Sequence, residues 1–257
     1  PGIQGCTTSG GTESIVLAIK AHRDYFRDEK GIHEPNMICC TTAHAAVDKA
    51  CDLLNIELIK LLPNEVEDEN GDGGYTLSVA DVDANITANT ILIYSSAPSF
   101  AQGSADPIQA LSELACKRDV GLHVDCCLGG FVLPFMKELG YDVPPFDFTL
   151  PGVSSMSLDT HKYGYALKGS SVVLYGGDNS LIGAGVRRCQ YFCYPGWTGG
   201  LYTTPTLAGS RSGGLVAQCW ASMVAMGRDG YKDVIKGIIQ TTRNIVDGVS
   251  KIPELEI

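Results

Sequence analysis

The sequence predicts an α/β protein, a mostly parallel sheet covered by helices. Two observations carry this. Short apolar runs of strand length alternate with longer stretches of helical period, strand then helix, several times over. Polar and titratable residues gather at the ends of those strands or in the turns after them, where ligands bind in open parallel sheets. The chain has 257 residues, enough to bury a large core as one domain. Its formal net charge of −10, with no basic stripe, argues against a nucleic-acid partner.

The first element is a helix opened by the glycine-rich stretch 5–14, with Ile15, Ala18, Ile19 and Phe26 on its apolar face and an end near Gly31. Bare backbone beside unpaired helical N–H groups suits a phosphate. The stretch is no Walker A loop, because no Lys-Ser/Thr follows the glycines. Met37 to Thr42 reads as a buried strand, followed by His44 at a turn and a helix through Asn55. A lone histidine is more often a structural hydrogen-bonder than a ligand, but the carboxyl end of a strand is where an α/β protein binds ligands. Leu58 to Leu62 is the next strand, and Pro63 to Tyr75, acidic and glycine-rich, reads as a solvated loop. Leu77 to Ala88 has helical character, Thr90 to Ser96 is a strand, and Ile108 to Asp119 a helix.

Leu122 to Leu128 reads as a strand that holds Asp125 among apolar neighbours. A buried carboxylate needs a cationic or hydrogen-bonding partner, either internal or on a ligand. Strands at Val153–Leu158 and Ser171–Tyr175 then flank a turn bearing Asp159, Thr160, His161, Lys162 and Lys168. Burial lowers a lysine's pKa and frees its amine, the form that attacks an aldehyde. Ser180 to Thr204 reads as a long irregular aromatic segment, and two helices, about 206–228 and 231–250, follow.

Ten cysteines include the adjacent pairs Cys39-Cys40 and Cys126-Cys127. Strand neighbours point to opposite faces, and no C-x-x-C occurs, so the expectation is reduced thiols, no metal and a cytosolic setting. The chain starts almost on its first motif and stops just after a helical pattern, which reads as a fragment of a longer protein.

An anion cradle at Gly11, a flat ring at His44, an acid at Asp125 and an amine at Lys162 are the four groups that pyridoxal 5′-phosphate (PLP) needs. The runs TSGGTES (8–14), TAHAAVDKA (42–50), LHVDCCLGGF (122–131), DTHKYGYALKGSS (159–171), WTGGLYTTPTLAGSR (197–211) and MGRDGY (226–231) resemble those of the sphingosine-1-phosphate lyases. These are PLP enzymes of the group II decarboxylase family. The resemblance implies a fold-type I PLP-dependent transferase large domain over 1–257, with a mixed, mainly parallel sheet. The N-terminal segment and the C-terminal small domain would lie outside the chain. It implies Lys162 as the lysine bonded to the cofactor, Asp125 as partner of the ring nitrogen and His44 stacked on the ring. Gly11, Thr12 and His161 would hold the cofactor phosphate. Gly199 and Gly200 would close the site of a partner subunit in a homodimer. Lys168 would serve the substrate, in proton transfer or in holding its phosphate.

The reaction implied is cleavage of the C2–C3 bond of a phosphorylated long-chain base to a fatty aldehyde and phosphoethanolamine. The place implied is the cytosolic side of the endoplasmic reticulum, through an anchor outside this chain. An amino-acid decarboxylase and a non-catalytic interaction module are the alternatives. Two motifs depart from the family: Leu167 stands where it has proline, and Ala101-Gln102 where it has Pro-His. Gln102 cannot titrate as histidine does.

Overall fold

Five parallel strands form the frame of the computed structural model, which describes residues 2–67 and 73–255. They are β2 (Asn36–Cys40), β3 (Glu57–Leu61), β6 (Thr90–Ser96), β7 (Gly121–Asp125) and β8 (Val153–Leu158). β9 (Ser171–Tyr175) pairs antiparallel with β8, and β1 (Gln4–Thr8) pairs antiparallel with β9. The order is β1-β9-β8-β7-β6-β2-β3, so the sheet is mixed and mainly parallel. β2, β6 and β7 are buried along their whole length. Sheets of this kind are covered on both faces, which is why their strands lack polar alternation.

Two apolar clusters lie on opposite faces. One joins Met37, Cys39, Leu92, Tyr94, Val173 and Tyr175 to α1 (Gly11–Lys30) and α2 (Ala46–Leu54). The other joins Ile38, Ile93, Leu122, Val124 and Met156 to α4 (Ile108–Arg118). Residues one apart fall in different clusters, as the two-residue period of a strand requires. Gly31 ends α1 in the left-handed conformation, φ 70, its N–H bonded to Arg27 O.

Several sequence expectations are corrected. The 63–75 segment is not a loop throughout: β4 (Asn64–Glu67) and β5 (Gly73–Thr76) form an antiparallel hairpin, and 68–72 lie outside the described residues. The helix after it, α3, is shorter than expected, Val79–Asn85, and is capped by Ser78 Oγ on Asp81 N. Asp125 ends β7 instead of lying inside it. A 3₁₀ turn at Gly129–Phe131 and α5 (Leu133–Glu138) follow. The 180–204 segment contains α6 (Gly183–Arg188) and a hairpin of β10 (Phe192–Tyr194) and β11 (Tyr202–Thr204). The last helix, α7, runs Gly213–Val249 and bends at Gly227, where φ is 61 and ψ 174. Ser212 caps its start by accepting from Gly214 N. Beyond the bend, Tyr231 stacks on Phe135 and donates to Gly164 O at 2.8 Å.

His22 of α1 and His123 of β7 are fully buried. His22 Nδ1 lies 2.8 Å from Ala18 O and its Nε2 2.7 Å from Ser154 Oγ. Burial pulls the pKa of His22 to about 3 and that of His123 to about 4. In the unfolded chain a histidine titrates near 6.5. A folded value below the unfolded one means stability that is complete above pH 6.5 and is lost as pH falls toward the folded value. Unfolding free energy measured by denaturant between pH 7 and 5 should therefore fall, by up to about 1.4 kcal/mol per pH unit for each histidine. Replacing His22 by Gln should flatten that slope.

Candidate active site

The carboxyl edge of the sheet holds a cavity of about 480 Å³, lined by residues from four separate stretches of chain. Its floor is the start of α1, Ser9 to Glu13. His44 lies on one side, after β2, and Cys127 on another, after β7. Asp159, His161, Lys162, Lys168 and Gly169, all from the turn between β8 and β9, complete it. Lys162, His44, Lys168, Gly11, Thr12 and His161, all expected from the sequence, thus meet at one place.

The α1 end is built for close approach. A Cβ on Gly11 would lie 2.9 Å from Asp159 Oδ1 and 3.0 Å from Cys127 Sγ, so only bare backbone fits. The first N–H groups of a helix have no partner within it. Glu13, missed from the sequence, steadies this end. Its Oε2 accepts from Ser9 N at 2.7 Å and Ser9 Oγ at 2.6 Å, and its Oε1 accepts from Leu207 N. That ties the segment before α7 over the helix start.

Lys162 corrects a sequence expectation. Its Nζ lies 2.7 Å from Asp159 Oδ2, three residues back. Burial pulls the lysine pKa down, but the hydrogen bond and charge of Asp159 outweigh it and hold the amine above its ordinary range. The resting amine is therefore a paired ammonium, not a free base. Asp159, only 3% exposed, also accepts from Ser171 Oγ. Its place three residues before the lysine was the available signal, and a turn that is neither helix nor strand hid the pairing. In the same turn His161 Nδ1 lies 2.6 Å from Ser170 O, which fixes the ring. Lys168 is exposed, with no carboxylate partner among the described residues.

Asp125 is 7% exposed and holds three donors. Oδ1 accepts from Cys127 N at 2.9 Å and Ser157 Oγ at 3.1 Å, and Oδ2 from Tyr94 Oη at 2.5 Å. Burial raises the carboxyl, yet the bonds from Cys127 and Tyr94 outweigh it and hold the group below the usual carboxylate range. Hydrogen bonds to a charged group are each worth roughly 1.5–3 kcal/mol, enough together to offset the cost of burial. Cys127, which lines the cavity, joins this carboxylate to the lysine turn. Burial and the charge of Asp125 push its thiol up, so it stands neutral. His44 Nδ1 accepts from Ala46 N at 3.0 Å, which leaves the proton on Nε2. Gly199 and Gly200 sit between β10 and β11 and do not line this cavity. Gln102 lies on an exposed loop, also away from it.

A model of the pyridoxal-dependent decarboxylase conserved domain matches residues 2–257. The chain belongs to the pyridoxal-dependent decarboxylase family. Within that family it is 47% identical over 255 residues to the sphingosine-1-phosphate lyase of Dictyostelium discoideum, covering 99% of this chain and 46% of that protein. It is 46% identical to the sphingosine-1-phosphate lyase of Oryza sativa, covering 98% of the chain and 44% of the relative. The solved sphingosine-1-phosphate lyase of Burkholderia pseudomallei superposes with a TM-score of 0.90 at 42% identity, over 98% of this chain and 55% of that one. The chain thus spans about half the length of the relatives it matches.

The family's cofactor is PLP, and the residues present suit it. Bare backbone at Gly11 beside a helix start would suit its phosphate and Lys162 its aldehyde. Asp125 does not itself line the cavity; it lies behind Cys127, which does, and its ionised carboxylate would suit the ring nitrogen. Two outcomes are expected. Lys162→Ala in the full-length protein should abolish the visible absorbance near ~420 nm that bound cofactor gives. Asp159→Asn removes the group that raises the Lys162 pKa, so the pH midpoint for capture of added PLP should move acid-ward, read by stopped-flow absorbance.

Proposed function

We propose that the protein carrying this chain is a PLP-dependent aldehyde lyase. It cleaves the C2–C3 bond of sphingosine 1-phosphate or another phosphorylated long-chain base. The products are a fatty aldehyde and phosphoethanolamine. The reading is carried by one observation. The turn that resembles this lyase branch, DTHKYGYALKGSS, delivers both Lys162 and the unpaired Lys168 to the wall facing the α1 start. The 47% identity to a protein named for this activity supports it.

Bound PLP supplies an aldehyde for an amine and a ring that accepts the electron pair released from a breaking bond. The chain's own residues do the rest. Lys162 Nζ carries a proton at rest and would have to release it to bond an aldehyde; Asp159 Oδ2, 2.7 Å away, is placed to take that proton. Asp125, kept ionised by its donors, favours a protonated ring nitrogen, because an opposite charge at close range raises the pKa of that nitrogen. His44 offers a ring face. Gly11, Thr12 and His161 hold the cofactor phosphate. Lys168, an exposed ammonium at the cavity mouth, holds the phosphate of the substrate.

The chain is read as the large domain of a longer subunit. The active unit is a homodimer in which Gly199 and Gly200 of each copy close the other's site. The β10–β11 region supports this. Tyr191, Phe192, Tyr194, Trp197 and Leu201 are exposed, as is Trp220 of α7, at 67%. Exposed aromatic residues gathered on one hairpin, with Phe192 and Trp197 both packed on Tyr202, suit an interface. Among the described residues no helix is long and apolar enough to cross a membrane. The working location is the cytosolic face of the endoplasmic reticulum, through a segment outside this chain, as the resemblance implies.

The full-length protein should release fatty aldehyde from sphingosine 1-phosphate and no carbon dioxide from amino acids, both followed by mass spectrometry. The opposite pattern would make it a decarboxylase, and neither product a non-catalytic homologue. Lys168→Met should raise KM about tenfold with little change in kcat, the mark of lost substrate binding.

A further inference from the structure

One face of the sheet carries a line of buried polar side chains that ends on Asp125. Tyr94 of β6 lies opposite His123 of β7, and Asp125 opposite Ser157 of β8. His123 also pairs with Ser155. His123 and Asp125 are two apart on β7, as are Ser155 and Ser157 on β8, so they share the face that α1 covers. Tyr94 is fully buried in the apolar cluster of that face, and its ring stacks on His123, centroids 5.3 Å apart at 27°.

The hydrogen bonds have one consistent direction. Ser157 Oγ donates to Asp125 Oδ1, so it accepts from His123 Nε2 at 3.1 Å. His123 is thereby the Nε2–H tautomer, and its Nδ1 accepts from Ser155 Oγ at 2.7 Å. This chain serves Oδ1. Tyr94 serves Oδ2 alone, at 2.5 Å. Burial and the neighbouring carboxylate push the phenol pKa well up, so the hydroxyl stays a donor at every working pH.

We propose that Tyr94 is a positioning residue for Asp125: its hydroxyl orients Oδ2 and keeps the carboxylate a weaker base than the ring nitrogen it meets. The proposal rests on the reading that Asp125 faces the ring nitrogen of bound PLP. Tyr94 leaves one lone-pair direction of Oδ2 for that partner. It also withdraws charge from the carboxylate, so the shared proton stays on the ring. No other hydroxyl reaches Oδ2 among the described residues.

Tyr94→Phe keeps the ring on His123 and removes only the donor. In full-length protein loaded with PLP labelled with ¹⁵N in the ring, the nitrogen signal should move toward that of a neutral pyridine. The kcat should fall about tenfold with KM changed less than twofold. Asp125→Asn serves as the control. If Asp125→Asn moves the nitrogen signal and Tyr94→Phe leaves it in place, Tyr94 has no such role. If Asp125→Asn itself leaves the signal unchanged, the assignment of Asp125 fails and this proposal with it. Should Tyr94→Phe not fold, 4-aminophenylalanine at position 94 preserves shape with a weaker donor. It must move the signal the same way as Tyr94→Phe was expected to, and an unmoved signal would overturn the proposal.

Discussion

The site depends on an ion pair across three residues of one turn. Lys162 would otherwise be an unpaired ammonium half sunk between two buried strands, a costly state. Asp159 removes that cost and in doing so parks the amine as a cation. The turn is closed around the pair by Thr160 Oγ1 on Ser170 Oγ, by Ala166 N on Thr160 O, and by Ser171 Oγ on Asp159. A lysine held this way is positioned before any cofactor arrives, but it is not yet a nucleophile. On the proposed reading, in which Lys162 bonds the cofactor, loading would break or share the bond to Asp159.

The rest of the fold brings partners to that amine. Three adjacent strands, β6, β7 and β8, run parallel and finish at the same edge. Because they are in register near their ends, Ser96, Asp125 and Ser157 sit side by side, with Tyr94 two residues back beside His123. The antiparallel β9 returns the chain beside β8 and sets the width of the lysine turn. The N-terminus of α1 reaches the same edge because β1, on the far side of β9, runs toward it. The cavity is therefore a consequence of strand direction more than of any loop.

Much of this was legible in the sequence. The ends of β6, β8 and β9 follow from apolar runs bounded by polar or glycine residues. Gly11, His44, Asp125 and Lys162 stood out as residues whose burial or backbone freedom needs a reason. What was hidden depends on pairing between distant stretches. Nothing local says that Tyr94, apolar in its neighbours' company, turns its hydroxyl to Asp125 31 residues later. Nor does Ser9 to Glu13 reveal that the other carboxylate oxygen of Glu13 holds Leu207. Lys162 looked like a neutral amine because burial alone was weighed; the nearby acid reverses the sign. The β4–β5 and β10–β11 hairpins were missed because their strands are short and rich in residues that also make loops.

The bend in α7 has a consequence for how damage would spread. Gly227 adopts a backbone geometry that side-chain-bearing residues all but never take, φ 61 with ψ 174. One turn further on, Tyr231 grips the carbonyl of Gly164, inside the segment that separates the two cavity lysines. A methyl group at the bend would be felt as a tug on that carbonyl, far along the chain from the lesion. The sheet would stay folded while the amine of Lys162 drifted from its place in the cavity.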